Sequence, residues 1–281
     1  MSAGAPLTVW DTGQQPARVQ RAGRYLPAAV AHPAKMLPAI AAQAIRSFTR
    51  PGDLVADPMC GIGTTLIEAI HLGRDAIGIE YEPRWAHLAV AGIRHAERDG
   101  AAGSAEVIRG DARDLTALVP GELHGTVALV LTSPPYGDST HGVASTTSDG
   151  VSKRNHRYSR DRANLGNRAS VSEEMTAFAV ILAGCRTLLR PGGVLAVTVR
   201  PVRRHGVLAD LPGLVIAAAR EAGFRPAGRY AVLICGLRGD GLITRASFFA
   251  QHETRRMRAA GLPACVIAHE DLLLFSAAGP A

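Results

Sequence analysis

The stretch LVADPMCGIGTTLIEAIHLGRDAIGIE, residues 54–80, decides the fold. It begins as a short apolar strand, LVAD, turns through a Pro/Gly segment, takes helical spacing through TTLIEAIHLG, and ends on a second apolar strand, AIGIE (76–80). Strands that are apolar throughout, joined by a helix, belong to a parallel sheet covered on both faces.

The same alternation continues on both sides. Residues 33–48, PAKMLPAIAAQAIRSF, carry helical apolar spacing and stop before RPGD. After residue 80, PRWAHLAVAGIRHAERDG reads as a helix closed by glycine, and AEVIRG and VALVL (127–131) as strands. From Tyr136 to about Ser170 the periodicity is lost, and a long loop is expected. Ser170 and Glu173 then have capping-box spacing and open a helix that ends at LLRPGG, followed by the strand VLAVTV. A helix through LVIAAAREAG and two last strands, RYAVLICGLR and HEDLLLFS, complete the chain. With no internal repeat or linker, one α/β domain over residues 1–281 is expected.

Composition narrows the function. Of the 281 residues 47% are apolar, and no run of about 18 apolar residues marks a membrane span. The start, MSAGAPLTVWDTG, lacks a basic segment followed by an apolar one, so no secretory signal is read and a cytoplasmic protein is expected. The four cysteines have no CxxC or Cys/His spacing, which leaves free thiols and no zinc site. A net charge of +7 favours a polyanionic partner. Lysine occurs only at Lys35 and Lys153, and a GC-rich genome also produces such an excess of arginine, so arginine content alone carries little weight.

Chemistry concentrates at strand ends. In DPMCGIGTT, Asp57 closes a strand, and Gly61 and Gly63 let the backbone turn tightly and admit a ligand before the amides of the next helix. Glu80 ends the second strand, where a carboxylate accepts the hydroxyls of a ribose, and Asp111 follows the third, placed to accept an adenine amine. Glycine and aspartate are also ordinary turn residues; it is the acid at each of three consecutive strand ends that points to a nucleoside. The absence of GxGxxG and of a P-loop lysine argues against a dinucleotide or a triphosphate. After the fourth strand comes TSPPY. Its prolines fix φ and remove two amide donors, leaving the Ser133 hydroxyl and the Pro134 carbonyl as acceptors, with Tyr136 as an aromatic platform. An amino group on a planar ring fits such a site.

These residues resemble the S-adenosylmethionine-dependent DNA amino-methyltransferases that modify cytosine-N4 or adenine-N6. HPAKMLP (32–38) is similar to that family's N-terminal cofactor segment, DPMCGIGTT to its glycine motif, with Met59 where the family often has phenylalanine, and SPPY to its catalytic motif. The resemblance implies a single Rossmann-like class I methyltransferase domain, mostly parallel with an antiparallel last strand and a long basic loop insertion. It implies S-adenosyl-L-methionine as cofactor, with His32, Pro33 and Lys35 near its methionine portion and Pro58, Met59, Gly61, Gly63, Thr64 and Thr65 around it. Glu80 would hold the ribose, Asp111 the adenine, and Ser133, Pro134, Pro135 and Tyr136 the target amine. The leading serine is commoner in cytosine-N4 enzymes. No cysteine nucleophile is expected.

Residues 32–136 thus carry the cofactor and catalytic motifs. Within the inserted loop, 137–170, the stretch 151–170 holds six basic residues against Asp161. Of these Lys153, Arg154, Arg157, Arg160 and Arg162, with Tyr158, are the expected nucleic-acid contacts, and double-stranded DNA the expected partner. A second excursion, 239–262, offers Arg245, Arg255, Arg256 and Arg258. HETRR lacks the second histidine of a zinc-protease motif, and His269-Glu270-Asp271 is weak as a metal site. An RNA or protein amide as substrate, and a non-catalytic regulator keeping the fold, stay open as readings. A second copy of the chain and a cognate restriction endonuclease stay open as partners.

Overall fold

The computed structural model describes residues 6–134, 143–147, 150–154, 171–204 and 207–277; of residues 143–147, 150–154, 171–172 and 202–204 only the backbone is described. An eight-stranded sheet is built from β1 (Val9–Trp10), β2 (Leu54–Asp57), β3 (Asp75–Glu80), β4 (Ala105–Arg109), β5 (Val127–Thr132), β6 (Leu189–Val199), β7 (Phe224–Leu233) and β8 (His269–Ala277). Their order across the sheet is β1-β7-β8-β6-β5-β2-β3-β4. All neighbours pair in parallel except β8, which runs antiparallel between β6 and β7. The expected α/β class, with an antiparallel last strand, is the one observed.

Each central strand is apolar on both faces because helices cover both. On β5, β6 and β8 the residues Val130, Leu195, Val197, Leu273 and Phe275 face the helices α4 (Val171–Leu188) and α5 (Leu211–Glu221), including Phe178, Ile181 and Val215. Their alternating neighbours Leu129, Leu131, Ala196, Leu272 and Leu274 face α1 (Pro38–Phe48), α2 (Thr64–His71) and α3 (Pro83–Arg98), where Ile40, Ile70 and Ile93 complete a second core. Burying each such side chain stabilises the fold by about 1.5–3 kcal/mol.

Two expectations need correction, and one strand was not anticipated. The first helix does not begin at residue 33 but at Pro38, because proline lacks the amide that a helix interior uses and fits only its first turn. The stretch read as a loop contains an antiparallel hairpin, Val143–Thr147 with Gly150–Arg154, in keeping with its Thr and Val residues. The two residues of β1 lay below the length at which periodicity can be read; Trp10 on β1 packs against Tyr230 with ring centroids 4.9 Å apart. Ser170, Pro135 and Tyr136 lie outside the described residues.

Between β1 and α1 the chain forms a strap across α2. Glu68 of α2 is buried and accepts from Arg24 at 2.8 and 2.9 Å and from the Tyr25 hydroxyl at 2.7 Å. Arg21 donates to the Met36 carbonyl at 2.6 Å, and Gln20 accepts the Ala39 amide at 2.9 Å, which anchors the start of α1. Residues 32–35 are therefore held by side chains well before them in sequence. No helix among the described residues is long and apolar enough to cross a membrane.

Removing one partner of a buried ion pair exposes the other to an apolar surrounding. Glu68→Ala is expected to lower unfolding free energy by about 2–3 kcal/mol, less than for a fully buried pair because Arg24 is 34% exposed. Chemical denaturation at unchanged m-value measures it.

Candidate functional site

Because seven of the eight strands run the same way, their C-terminal ends share one edge, and β8, running the other way, brings its first residues to that edge. There a single cavity of about 290 Å³ opens. Its walls include Asp57, Pro58, Met59, Gly61, Thr64 and Thr65 after β2, Glu80 at the end of β3, and Asp111 after β4. Ser133 and Pro134 after β5 and His32, Pro33 and Lys35 from the strap complete the set of expected residues. Gly63 alone of the described expected cofactor residues is not on the wall. It has φ +77°, and a Cβ there would come 3.2 Å from the Ala89 Cβ, so it lets α2 approach α3.

Asp57 organises the loop. Its carboxylate is buried and accepts from the Met59 amide at 3.1 Å and the Thr65 hydroxyl at 2.7 Å, with the Thr132 hydroxyl close enough to favour its charged form. Burial raises its pKa to about 6. Gly61 has φ +56°, and a Cβ there would lie 3.1 Å from the His32 Nε2, so the loop and strap close around a bare backbone. Glu80 accepts the Gly61 amide and the Glu82 amide, each at 2.8 Å, one on each oxygen. Burial raises its pKa to about 7 against those two bonds. Each carboxylate oxygen has a second lone pair, so acceptors for two hydroxyls remain within its capacity.

Asp111 is not the bare acceptor that its position implied. It caps the turn Ala112–Asp114 by accepting the Arg113 amide at 2.9 Å, and it pairs with the Arg113 guanidinium, whose pKa that bond raises. His32 lies edge-on to Trp85 with centroids 4.6 Å apart; burial, then the nearby Lys35 charge, lowers its pKa to about 3, so it is neutral. Lys35 donates to the carbonyls of Val30, at 3.0 Å, and His32, and burial lowers its pKa to about 8.

The sequence reading missed several wall residues. Trp85 enters from the first turn of α3, and Arg84 lies over its ring at 4.5 Å. The available signal was an aromatic soon after an acid-ended strand. Thr198, Arg200 and Glu270 line the opposite side; their partnership depends on β6 and β8 being neighbours, which no local pattern announces. Glu270 pairs with Arg200 at 3.0 Å and Asp271 with Arg229 at 2.8 Å, so these two acids each face an arginine. Among the described residues no group of three or more His, Cys, Asp or Glu could hold a metal.

Of the expected nucleic-acid contacts, Lys153 and Arg154 end the hairpin strand Gly150–Arg154, while Arg157, Tyr158, Arg160 and Arg162 lie outside the described residues. In the second excursion Arg245 donates to the Gln14 carbonyl at 2.8 Å, Arg258 to the Ala264 carbonyl at 3.2 Å, and Arg256 pairs with Glu253. These three thus brace local backbone or a neighbouring carboxylate on or beside α6 (Phe248–Ala259).

Residues 3–91 match the family model N6_N4_Mtase, described as DNA methylase. The resemblance read from HPAKMLP and DPMCGIGTT is borne out over that segment, which ends before Asp111 and Ser133. A tRNA (guanine(10)-N2)-dimethyltransferase of Methanothermobacter thermautotrophicus is 36% identical over 109 residues, 38% of this chain and 30% of that protein. The chain therefore spans less than a third of the length of that curated relative. The crystal structure of TrmN from Thermus thermophilus superposes over 92% of this chain and 53% of its own, with a TM-score of 0.54 and 17% identity. The fold is that of a Rossmann-like class I methyltransferase domain.

The wall fits S-adenosylmethionine: a glycine that a side chain would block, a buried acid between backbone donors, and an aromatic ring beside it. The titration of Glu80 gives this fit a test. Its folded pKa of about 7 lies above the ordinary 4.5, so the folded protein keeps a proton that the unfolded chain releases, and stability from this group falls as pH rises between those values. Ribose hydroxyls bind the ionised form better, so ligand binding drives that proton off. Calorimetry with S-adenosylhomocysteine is expected to show affinity rising about three- to tenfold between about pH 6 and 7.5, below the titration of Lys35, with Glu80→Gln giving a flat profile.

Proposed function

We propose that this chain transfers the methyl group of S-adenosylmethionine to an exocyclic amine of a nucleic-acid base, with N4 of cytosine in double-stranded DNA as the first choice. The observation that carries this reading is the shared cavity: Ser133 and Pro134 stand on the same wall system as Gly61, Glu80 and Asp111. Bound there, S-adenosylmethionine supplies a methyl group on a positively charged sulfur. Glu80 accepts from the ribose, Asp111 faces the adenine while kept in place by Arg113, and His32 and Lys35 border the methionine end. Ser133 and the Pro134 carbonyl accept the two hydrogens of the target amine and so aim its lone pair at the methyl carbon. Tyr136 stacks on the ring. Holding two reactants in line is the main catalytic contribution, and no cysteine nucleophile is involved.

A paired cytosine must leave the helix to present its amine, at a cost of a few kcal/mol. The basic insertion, 137–170, offsets that cost by clamping phosphates through Lys153, Arg154, Arg157, Arg160 and Arg162, with Tyr158 able to stack. In sequence the segment follows Ser133 and Pro134, which line the cavity, and this supports its proposed role. The reaction is placed in the cytoplasm.

One observation favours a second substrate: the curated relative named for a tRNA guanine is 36% identical over 109 residues. An RNA target is therefore the alternative.

Transfer of a labelled methyl group to duplex DNA, RNA and protein in parallel, followed by nucleoside mass spectrometry, separates these readings. N4-methylcytosine in DNA is expected; label in RNA alone moves the substrate to RNA, and label in no nucleic acid rejects the proposal. Ser133→Ala is expected to slow turnover about 100-fold while S-adenosylhomocysteine affinity stays within about twofold.

A further inference from the structure

The cavity has a wall for which the proposed chemistry has so far given no task. β5, which ends at Thr132 just before Ser133, divides the sheet: β2, β3 and β4, with the glycine loop, Glu80 and Asp111, lie on one side, and β6 and β8 on the other. Thr198 and Arg200 at the end of β6 and Glu270 at the start of β8 line the cavity from that second side. A base whose amine meets Ser133 must extend its ring away from the cofactor, which is toward these residues.

Arg200 and Glu270 form a cross-strand pair, with Nη2 to Oε1 at 3.0 Å. They continue the antiparallel register in which Val199 faces Asp271. The next pair on β8 makes a useful contrast. Asp271 bonds Arg229, whose side chain is 60% exposed and is absent from the cavity wall, whereas the Arg200 and Glu270 side chains are 24% and 13% exposed and both line it. Two arginine–carboxylate pairs of the same type thus differ in where they open. A guanidinium held in one plane by a carboxylate presents N–H donors in fixed directions, a geometry suited to the edge of a flat ring.

We infer that Arg200, oriented by Glu270, donates a hydrogen bond to the ring nitrogen next to the target amine on the base's pairing edge. This rests on the proposed methylation of a base amine and specifies the base it takes. In cytosine that ring atom is N3 and in adenine N1, both acceptors; in guanine the pairing-edge neighbour of the amine is N1, which carries a hydrogen and opposes a donor. Ser133 and Pro134 read the amine, and Arg200 reads the atom beside it, so cytosine and adenine offer an acceptor where guanine presenting its pairing edge opposes a donor. Arg200 is in this sense a specificity-determining residue, and Glu270 a positioning residue.

The test uses the full chain and the duplex site mapped by the labelled-methyl experiment. The target cytosine is replaced by 3-deazacytosine, or a target adenine by 1-deazaadenine, in which a C–H replaces the acceptor nitrogen. Wild-type kcat/KM is expected to fall about 10- to 100-fold. The analogue pairs more weakly and leaves the duplex more readily, so a loss cannot come from base extrusion. Arg200→Ala and Arg200→Lys are each expected to be slow on the natural base and to have lost most of the discrimination between it and the analogue. Glu270→Gln is expected to reduce that discrimination partly, with S-adenosylhomocysteine affinity retained. Equal rates of the wild type on both bases, or methylation mapped to guanine N2, would overturn the inference while leaving amine methylation standing. No transfer to nucleic acid by the wild type would remove the underlying reading, and the inference with it.

Discussion

The carboxylate of Asp57 sets the spacing on which the whole site depends. One buried group bonds the Met59 amide in the loop and the Thr65 hydroxyl in the first turn of α2, and the Thr132 hydroxyl at the end of β5 lies beside it. Ser133 is the next residue. The loop that borders one half of the cavity and the strand end that borders the other are thus gathered around the same carboxylate. A buried carboxylate is costly unless its lone pairs are used, and here the loop and α2 both use them, so moving either leaves an acceptor without its donor.

Around this tie the cavity is kept rigid by groups that are mostly occupied. Glu80 is held by two backbone amides, Asp111 by Arg113, Lys35 by two carbonyls and His32 by packing on Trp85. The strap matters for the same reason. His32 and Lys35 reach the wall because Arg24 and Tyr25 grip Glu68 and Arg21 grips Met36, contacts that span the length of the segment. Preorganised groups of this kind give up little conformational entropy when a ligand arrives.

Much of this was legible from local pattern. The strands 54–57, 76–80 and 127–131 and the helices after residues 63 and 82 could be read because each is apolar throughout or repeats at a helical period, and such signals are local. The acids and glycines of the loop stood out because they interrupt those patterns. Short or irregular pieces were not legible. The two residues of β1 carry no period, residues 33–37 share the apolar spacing of the helix they precede, and the hairpin 143–154 is polar and framed by turn residues. Arg113 was overlooked because a residue two positions from an acid reads as surface, although here it folds back onto Asp111.

By itself the sequence determined which residues end strands, which turns require glycine, and which motif pairs a serine with two prolines, because those properties depend on a residue and its immediate neighbours. Only the tertiary structure decided which strand ends stand side by side. The antiparallel insertion of β8 next to β6 brings Glu270 to Arg200 across some 70 residues of chain. The strap brings His32 to Gly61, and Thr132 meets Asp57 only because β5 pairs with β2. Such contacts are chosen by the burial of whole faces, a sum over many side chains, and no single stretch of sequence contains it.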